Sequence, residues 1–419
     1  MKTILVLFDG LGDRVYPELG NKTPLEAAHT PHLDTLCKKA ETGIMTPYRQ
    51  GVPLGTETAH FLLYGYDLSD FPGRGAIEAL GEGVSLQEDE VYLRCCFATV
   101  EENQGFYLVD RYTPELTPEE IKRLTENIPK EIEGVKIGWK HSFDMHGIIT
   151  LKGEHISSAI SDSDPHYAGE HVICVEPFET EDTRAIFTAR VVNRFLVETY
   201  NALHEHPVNK GRVKQGKLPA NFIITKWAGR KKALPPFHEK HGISSLVLGA
   251  SDLLRGVAMF LGMNFEKCPD FGQGITKALK ADCDFVQVHT KEPDEAAHTK
   301  NPVYKKEVME KLDNELAPLL DINEEETLLV ITADHSTPSC GTLVHSGEPV
   351  PIMFVGKGVR VDGVQTFGER SCTKGSIRME GRDLMPMVLN FTDRALLYGL
   401  RTGSRRTSYV PGKTNILKP

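Results

Sequence analysis

Apolar positions fall into two rhythms along this chain, and each rhythm predicts an element. The opening TILVLFDG is a continuous apolar run, Thr3 to Phe8, that reads as a buried strand ending on Asp9 and Gly10. TPLEAAHTPHLDTLCKKA follows with Thr23 and Pro24 as a helix start, and TAHFLLYGY, just after PLGTE, predicts a second helix. From Leu86 onward the pattern changes. EVYLRCCFATV and GFYLVD alternate as antiparallel strands do, TPEEIKRLTENI opens with a helix cap, and KIGWKHSFDMHGIITLKG returns to strand. HPVNKGRVKQGKLPANF reads as loop, a hinge or surface excursion. Strand then alternates with helix through SSLVLGASDLLRGVAMFLG, DFVQVHTKEPDEAAHT, the polar helix VYKKEVMEKLDNELAPLL, ETLLVITADHS and VPIMFVG. RRTSYVPGKTNILKP closes as a surface tail, and no internal repeat is visible.

These rhythms predict an α/β protein. Residues 1–85 and 236–419 are expected to form a core domain with a mostly parallel sheet covered by helices on both faces, and residues 86–235 an inserted α+β cap. A length of 419 residues, beyond one ordinary core, agrees with that division. A net charge of −10 excludes a general nucleic-acid binder, which needs surplus Lys and Arg to displace phosphate counterions. It leaves room for a small phosphorylated substrate held by a local basic cluster. MKTILVLFDG reads as a strand rather than a signal peptide, and no run of about 18 apolar residues occurs, so neither membrane nor export is expected and the cytoplasm is. The eight cysteines show no CxxC spacing and read as core thiols.

Candidate chemistry gathers at strand ends, where open α/β sheets place their ligand sites. Asp9 follows LVLF, Asp294 and His298 follow DFVQVHTKEP, Asp334 and His335 follow LLVITA, and His345 precedes SGEPVPIMF. Asp294 and His298 are four apart in DEAAH, which on a helical turn puts both on one face. Three carboxylates with three imidazoles suffice for two ions, and the mixture suits manganese, zinc or iron better than calcium. Two-metal sites stabilise the attacking and leaving oxygens of a phosphoryl displacement. Thr56, between Gly55 and a predicted helix start, is either a helix cap or a hydroxyl that a metal would activate as a nucleophile. Asp334 and His335 alone read first as a hydrogen-bonded loop, and only their partners point to a metal site.

FDGLGDR, KTPLEAAHTPHLD, PLGTETAHFLLYGYD, GRGAIEALGEGV, ISDSDPH, DEAAH, TADHSTP and HSGEPVPI together resemble the archaeal-type cofactor-independent phosphoglycerate mutases of the alkaline phosphatase superfamily. The resemblance implies an alkaline-phosphatase-like core with an inserted cap, catalysis in the cleft between them, and two divalent ions. One ion would be held by Asp9, Thr56, Asp334 and His335, the other by Asp294, His298 and His345. Manganese is the first expectation, with zinc, magnesium or cobalt as alternatives, and no bisphosphoglycerate cofactor is expected. Thr56 would take the substrate phosphoryl group as a phosphothreonine and return it to the neighbouring hydroxyl of glycerate.

Several positions depart from the family pattern. Thr56 stands where serine is usual, and Cys96 where asparagine follows RC. An arginine-rich segment is reduced to Asp110 and Arg111 in DRYTPE, ITKWAGRKK offers Lys226 and Arg230, and Arg255 in LLRGVA replaces a lysine. Asp162, Asp164 and His166 in SDSDPHYAGEH are either substrate contacts or an Asx-turn network around Pro165. Arg74 is either a phosphate contact or a solvated turn residue, and His29 and His32 read as packing or capping groups. The altered cap keeps a second reading open: a metal-dependent phosphatase or phosphonate hydrolase, or a mutase of another small phosphate ester, on the same core. A non-catalytic metal-stabilised binding protein is a third.

Overall fold

The structure, a computed structural model, describes residues 1–399 and 417–419, so the expected surface tail lies outside the described residues as far as residue 416. It divides into two compact units, Met1–Phe71 with Leu234–Pro419, and Pro72–Ala233. Strands β1 (Lys2–Phe8) and β2 (Glu41–Thr46) open the first unit. Strands β3 (Glu90–Glu102), β4 (Phe106–Asp110), β5 (Glu131–Ile132), β6 (Val135–His141), β7 (His146–Lys152) and β8 (Phe222–Arg230) build the second. The chain then returns to the first unit with β9 (Ser245–Gly249), β10 (Asn264–Lys267), β11 (Phe285–Thr290), β12 (Thr327–Thr332), β13 (Val350–Val355) and β14 (Ile377–Glu380).

In the first unit the strands form one sheet in the order β10-β9-β11-β1-β12-β13-β2-β14. From β10 to β12 every pairing is parallel, whereas β13 runs antiparallel to both β12 and β2. Every residue of β11, β12 and β13 is buried, as expected of central strands covered on both faces. The edge strand β10, NFEK, is short and carries Glu266 and Lys267, which blunts its open hydrogen-bonding edge. Strand β2 and the edge strand β14 are additional to the expected elements; both are short and neither has a long apolar run.

Two segments differ from expectation. The first predicted helix is two pieces, Pro24–Ala27 and Pro31–Cys37, because Pro31 cannot continue a helix and forces the residues before it out of the helical region. The supposed loop at 206–222 begins with a helix, Pro207–Lys214, which Pro207 starts and the His206 side chain caps by accepting from the Val208 N–H. Its Arg212 is buried and donates to the carbonyls of Leu218, Glu115 and Pro114 and to Glu120.

In the second unit an antiparallel sheet runs β4-β3-β7-β6-β5, with β8 on β3. Buried residues of β3, β7 and β8 and of the helix Thr183–His204 share one core. The unit starts at Pro72, where the sequence reading places the change at residue 86, because the helix Arg74–Gly81 packs on β3 and β8. Gly75 makes that approach possible: a Cβ there would lie 2.3 Å from the Tyr92 carbonyl and 2.6 Å from that of Trp227. Among the described residues no helix is long and apolar enough to cross a membrane.

Candidate active site

Three adjacent strands of the first unit deliver metal-grade side chains at one end of the sheet. Asp9 follows β1 directly, His289 lies near the end of β11, and Asp334 and His335 come shortly after β12. The register sets Leu7 of β1 opposite both His289 and Thr332, so the two-residue period puts His289, Asp9 and Asp334 on the same face. Gly10 turns the chain away at φ +64°, and its N–H donates to Asp334 Oδ1 at 3.1 Å. Any Cβ at that position would lie 2.5 Å from Thr337 Oγ1 and 2.9 Å from Asp294 Oδ1.

Asp294 and His298 are on the helix Glu292–His298, with His298 Nε2 3.2 Å from Asp294 Oδ1. Thr337 Oγ1 donates to the same oxygen at 2.8 Å, and His345 Nε2 lies 3.5 Å from it. His345 Nδ1 is 2.6 Å from the Leu54 carbonyl, so that nitrogen carries the proton and Nε2 presents a lone pair to the site. His335 stacks on His345 at 3.9 Å and reaches Asp9 Oδ1 at 3.2 Å and Asp334 Oδ2 at 3.4 Å. Two sets of ligand atoms result, Asp9–His289–Asp334 and Asp294–His335–His345, the atoms of each within 4.8 Å of one another. The division of ligands that the family resemblance implies differs: it leaves out His289 and pairs His335 with Asp9 and Asp334. His298 stands beside the second set, its side chain 38% exposed.

Burial, with the charge of Asp9 beside it, pushes the Asp334 carboxyl up to about 7. Burial alone would also raise Asp9, but the imidazoles of His289 and His335 hold it well below the usual carboxylate range. For His335, burial opposes the proton and the charges of Asp334 and Asp9 outweigh it, carrying the ring up to about 9. Burial lowers His345 to about 4, with the charge of His335 adding to the effect. Asp9 Oδ1, Asp334 Oδ2 and His289 Nε2 are buried with no hydrogen-bond partner among the described residues, and divalent cations would satisfy all three.

Thr56 opens the helix Thr56–Leu63, whose N-cap is Gly55. The threonine hydroxyl makes no capping bond; Oγ1 lies 3.4 Å from both Asp9 Oδ2 and His335 Nε2. One turn on, His60 bonds the Thr56 carbonyl through Nδ1 at 2.8 Å and accepts from the Gln287 amide at Nε2 at 2.9 Å, while Tyr64 donates to Gln287 Oε1. Burial pushes His60 down to about 3, so a neutral ring fixes the first turn of this helix to β11. Below the loops, Lys305 Nζ binds the carbonyls of Gly10 at 2.8 Å, Gly12 at 3.2 Å and Thr337 at 2.9 Å, tying together the loops that carry Asp9 and Asp334.

The second unit holds a separate cationic cluster. Arg111 forks Asp164 through Nε and Nη2, at 2.8 Å and 2.7 Å, and Lys226 Nζ binds the same carboxylate at 2.8 Å. Burial opposes ionisation of Asp164, but Arg111 and Lys226 hold it well below the usual range. His166 Nδ1 lies 3.3 Å from Arg111 Nη2, and its N–H donates to Asp164 Oδ1, so Asp164 both makes the Asx turn and orders the cations. Asp162 Oδ1 accepts from the Trp227 N–H at 2.6 Å, where Trp227 sits at φ +58°. Arg74 lies 3.9 Å over the Trp227 ring, and Arg94 binds Glu78 while its buried Nε has no partner. Of the expected substrate residues, Asp110 accepts from the Tyr112 N–H and Arg230 donates to the Glu88 carbonyl, both outside this network. Arg255 belongs to the first unit, on the helix Asp252–Phe260.

Four contributors have weak sequence signals. His289 and Gln287 alternate inside an apolar strand run, and that period of two marks a polar face that a search of strand ends passes over. Lys305 lies in a helix rich in exposed charge, with nothing local to single it out. Arg94 is visible only as part of a strand that reads as core.

The profile of the 2,3-bisphosphoglycerate-independent phosphoglycerate mutases matches residues 37–209. The 2,3-bisphosphoglycerate-independent phosphoglycerate mutase 2 of Methanocaldococcus jannaschii is 49% identical over 98% of both chains. The chain belongs to this family. The Ignicoccus hospitalis mutase is 38% identical over 95% of this chain and 99% of its own length. Among solved structures, a Pyrococcus horikoshii protein superposes with a TM-score of 0.78 at 30% identity, covering 95% of this chain and 99% of its own. The cofactor-independent phosphoglycerate mutase from Thermoplasma acidophilum gives 0.65 at 31% identity, covering 93% of this chain and all of its own. The α/β core with a mixed, largely parallel sheet and a further inserted unit is therefore the architecture of this mutase family.

Proposed function

We propose that this chain interconverts 3-phosphoglycerate and 2-phosphoglycerate without bisphosphoglycerate, with Thr56 carrying the phosphoryl group between the two hydroxyls. The observation that carries this reading is the Thr56 hydroxyl, uncommitted to capping and 3.4 Å from both Asp9 Oδ2 and His335 Nε2. Asp9, Thr56, Asp334 and His335, with Asp294, His298 and His345, would hold two divalent ions, manganese first and zinc, magnesium or cobalt as alternatives. When bound, such ions lower the pKa of a coordinated hydroxyl and offset the charge of a transferring phosphoryl group.

The protein's own groups supply the rest. Thr56 Oγ1 forms a bond to phosphorus as the C3 oxygen of glycerate leaves and takes up a proton. The return step makes the bond to the C2 oxygen and frees Thr56. Backbone N–H groups of the first turn of Thr56–Leu63 offer hydrogen bonds to the phosphoryl oxygens. The Thr56 hydroxyl points its proton at Asp9 Oδ2, 3.4 Å away. Arg111, Lys226 and the unpaired Nε of Arg94 have the chemistry to bind the anionic groups of phosphoglycerate. The relatives matched over nearly their whole length are named mutases, which favours transfer over hydrolysis. All eight cysteines are free, which suits a cytoplasmic enzyme.

Phosphorus NMR of the manganese-loaded protein with 3-phosphoglycerate, beside Thr56→Ala, tests the reading. A 2-phosphoglycerate signal from the wild type alone is expected. Inorganic phosphate as the main product makes the chain a hydrolase on the same core, and no reaction by metal-replete protein assigns it another phosphate ester.

A further inference from the structure

We propose that His289 is itself a metal ligand, joining Asp9 and Asp334 on one ion and adding an eighth protein ligand to the seven that the family resemblance implies. The inference rests on the metal-site half of the proposed function and not on the identity of the phosphate ester. His289 is 4% exposed, and its Nε2 lies 3.3 Å from Asp9 Oδ2 without making a hydrogen bond. Asp9 Oδ1 and Asp334 Oδ2 are also buried and unpartnered. Asp9, His289 and Asp334 each offer a ligand atom within 4.8 Å of the other two, at the same end of three neighbouring strands, which makes a ready-made ligand set.

A neighbouring histidine shows what a purely structural imidazole looks like in this place. The His60 and His289 rings are 5.3 Å apart, and His60 has both nitrogens engaged, one on the Thr56 carbonyl and one on the Gln287 amide. His289 instead turns Nε2 toward the carboxylates, 3.3 Å from Asp9 Oδ2 and outside hydrogen-bond alignment. Its backbone is held in β11 between β9 and β1, so the imidazole is placed by a paired strand rather than by a loop, which favours a defined ligand geometry. Adding a second imidazole to a centre already within reach of His335 biases it toward zinc or cobalt and away from magnesium, which prefers oxygen ligands and water.

Crystals of the wild type soaked in zinc and measured at the zinc absorption edge give the direct test. An anomalous peak about 2.0–2.1 Å from His289 Nε2 is the expected result. Two zinc ions with neither closer than about 3 Å to that nitrogen overturn the inference and leave the metal-site reading intact, whereas a wild type that takes up no zinc overturns both. In solution, His289→Gln is titrated with cobalt(II) by calorimetry and visible absorption. One of two sites is expected to weaken by more than about a hundredfold with altered ligand-field bands, beyond what loss of an outer-shell partner typically does. Unchanged bands and two unchanged sites overturn the inference.

Discussion

Lys305 Nζ lies 3.1 Å from Asp13 Oδ2, and neither side chain is exposed to solvent. Asp13 is satisfied from all sides, accepting also from the Tyr16 hydroxyl and from the Ser339 N–H and hydroxyl. The pair therefore fixes the loop after β1 to the loop after β12, and with them the two carboxylates of one ligand set. Lys305→Met is expected to leave Asp13 uncompensated and to destabilise the metal-free chain by about 3–5 kcal/mol. Adding Asp13→Asn to the same variant removes the stranded charge and recovers part of the loss. Denaturant melts of the three proteins check this; equal loss in the single and double variants contradicts it.

Thr56→Ala removes the proposed phosphoryl acceptor while leaving Gly55 as the cap of its helix. The expected outcome is a fall in kcat on the order of 10⁴-fold or more. Unfolding midpoint and uptake of the ion set Asp294–His335–His345 should stay unchanged. Thr56→Ser keeps the hydroxyl and should keep turnover. Steady-state rates with 3-phosphoglycerate, together with metal analysis, separate loss of the nucleophile from loss of the fold.

How much of this site was legible follows from which signals are local. Asp9 and Gly10 end an apolar run, Asp294 and His298 have helical spacing, and Asp334 and His335 follow another apolar run, LLVI, so all are readable without the fold. His289 was not, because within a buried strand its role depends on which face of the sheet carries Asp9, and register sets that. The Lys305–Asp13 pair spans 292 positions and leaves no local pattern. Strands β2 and β14 are short, and β2 pairs with both β13 and β14 across long sequence gaps, which periodicity cannot register. The helix Pro207–Lys214 reads as loop because its glycine, asparagine and three charged residues leave no apolar stripe, while what holds it is the buried Arg212.

Arg111 and Lys226 are ordered by one carboxylate, and the fork on Asp164 uses geometry that lysine cannot reproduce. Arg111→Lys is expected to raise KM for 3-phosphoglycerate by about 10- to 100-fold, the equivalent of one charge-assisted hydrogen bond, with a smaller effect on kcat. Asp164→Ala is a different perturbation, since it strands the buried Lys226 ammonium, and it should lower the unfolding midpoint as well. Kinetics and melts of both variants distinguish binding from stability; an unchanged KM in Arg111→Lys removes Arg111 from substrate recognition.

Glu369 gives a pH dependence away from the metal ligands. Its Oε2 accepts from the Thr23 hydroxyl at 2.7 Å, while its Oε1 is buried with no hydrogen-bond partner among the described residues. Burial pushes this carboxyl up to about 7 from an ordinary 4.5, with Glu26 adding to the rise and Lys305 opposing it. The folded chain thus holds the proton more tightly than the unfolded chain, so the stabilisation is complete below about pH 4.5 and is lost as pH rises through about 7. The shift corresponds to a change on the order of 3 kcal/mol. Asp334 is also held at about 7 in the metal-free chain, chiefly by burial, and titrates over an overlapping range. The readout is therefore the difference between Glu369→Gln and wild type. Gln keeps an acceptor for Thr23 and cannot ionise, so the variant should match the wild type near pH 4.5 and exceed its stability above pH 7. A difference that does not grow between those pH values would show that the Glu369 carboxyl is ionised in the folded protein throughout.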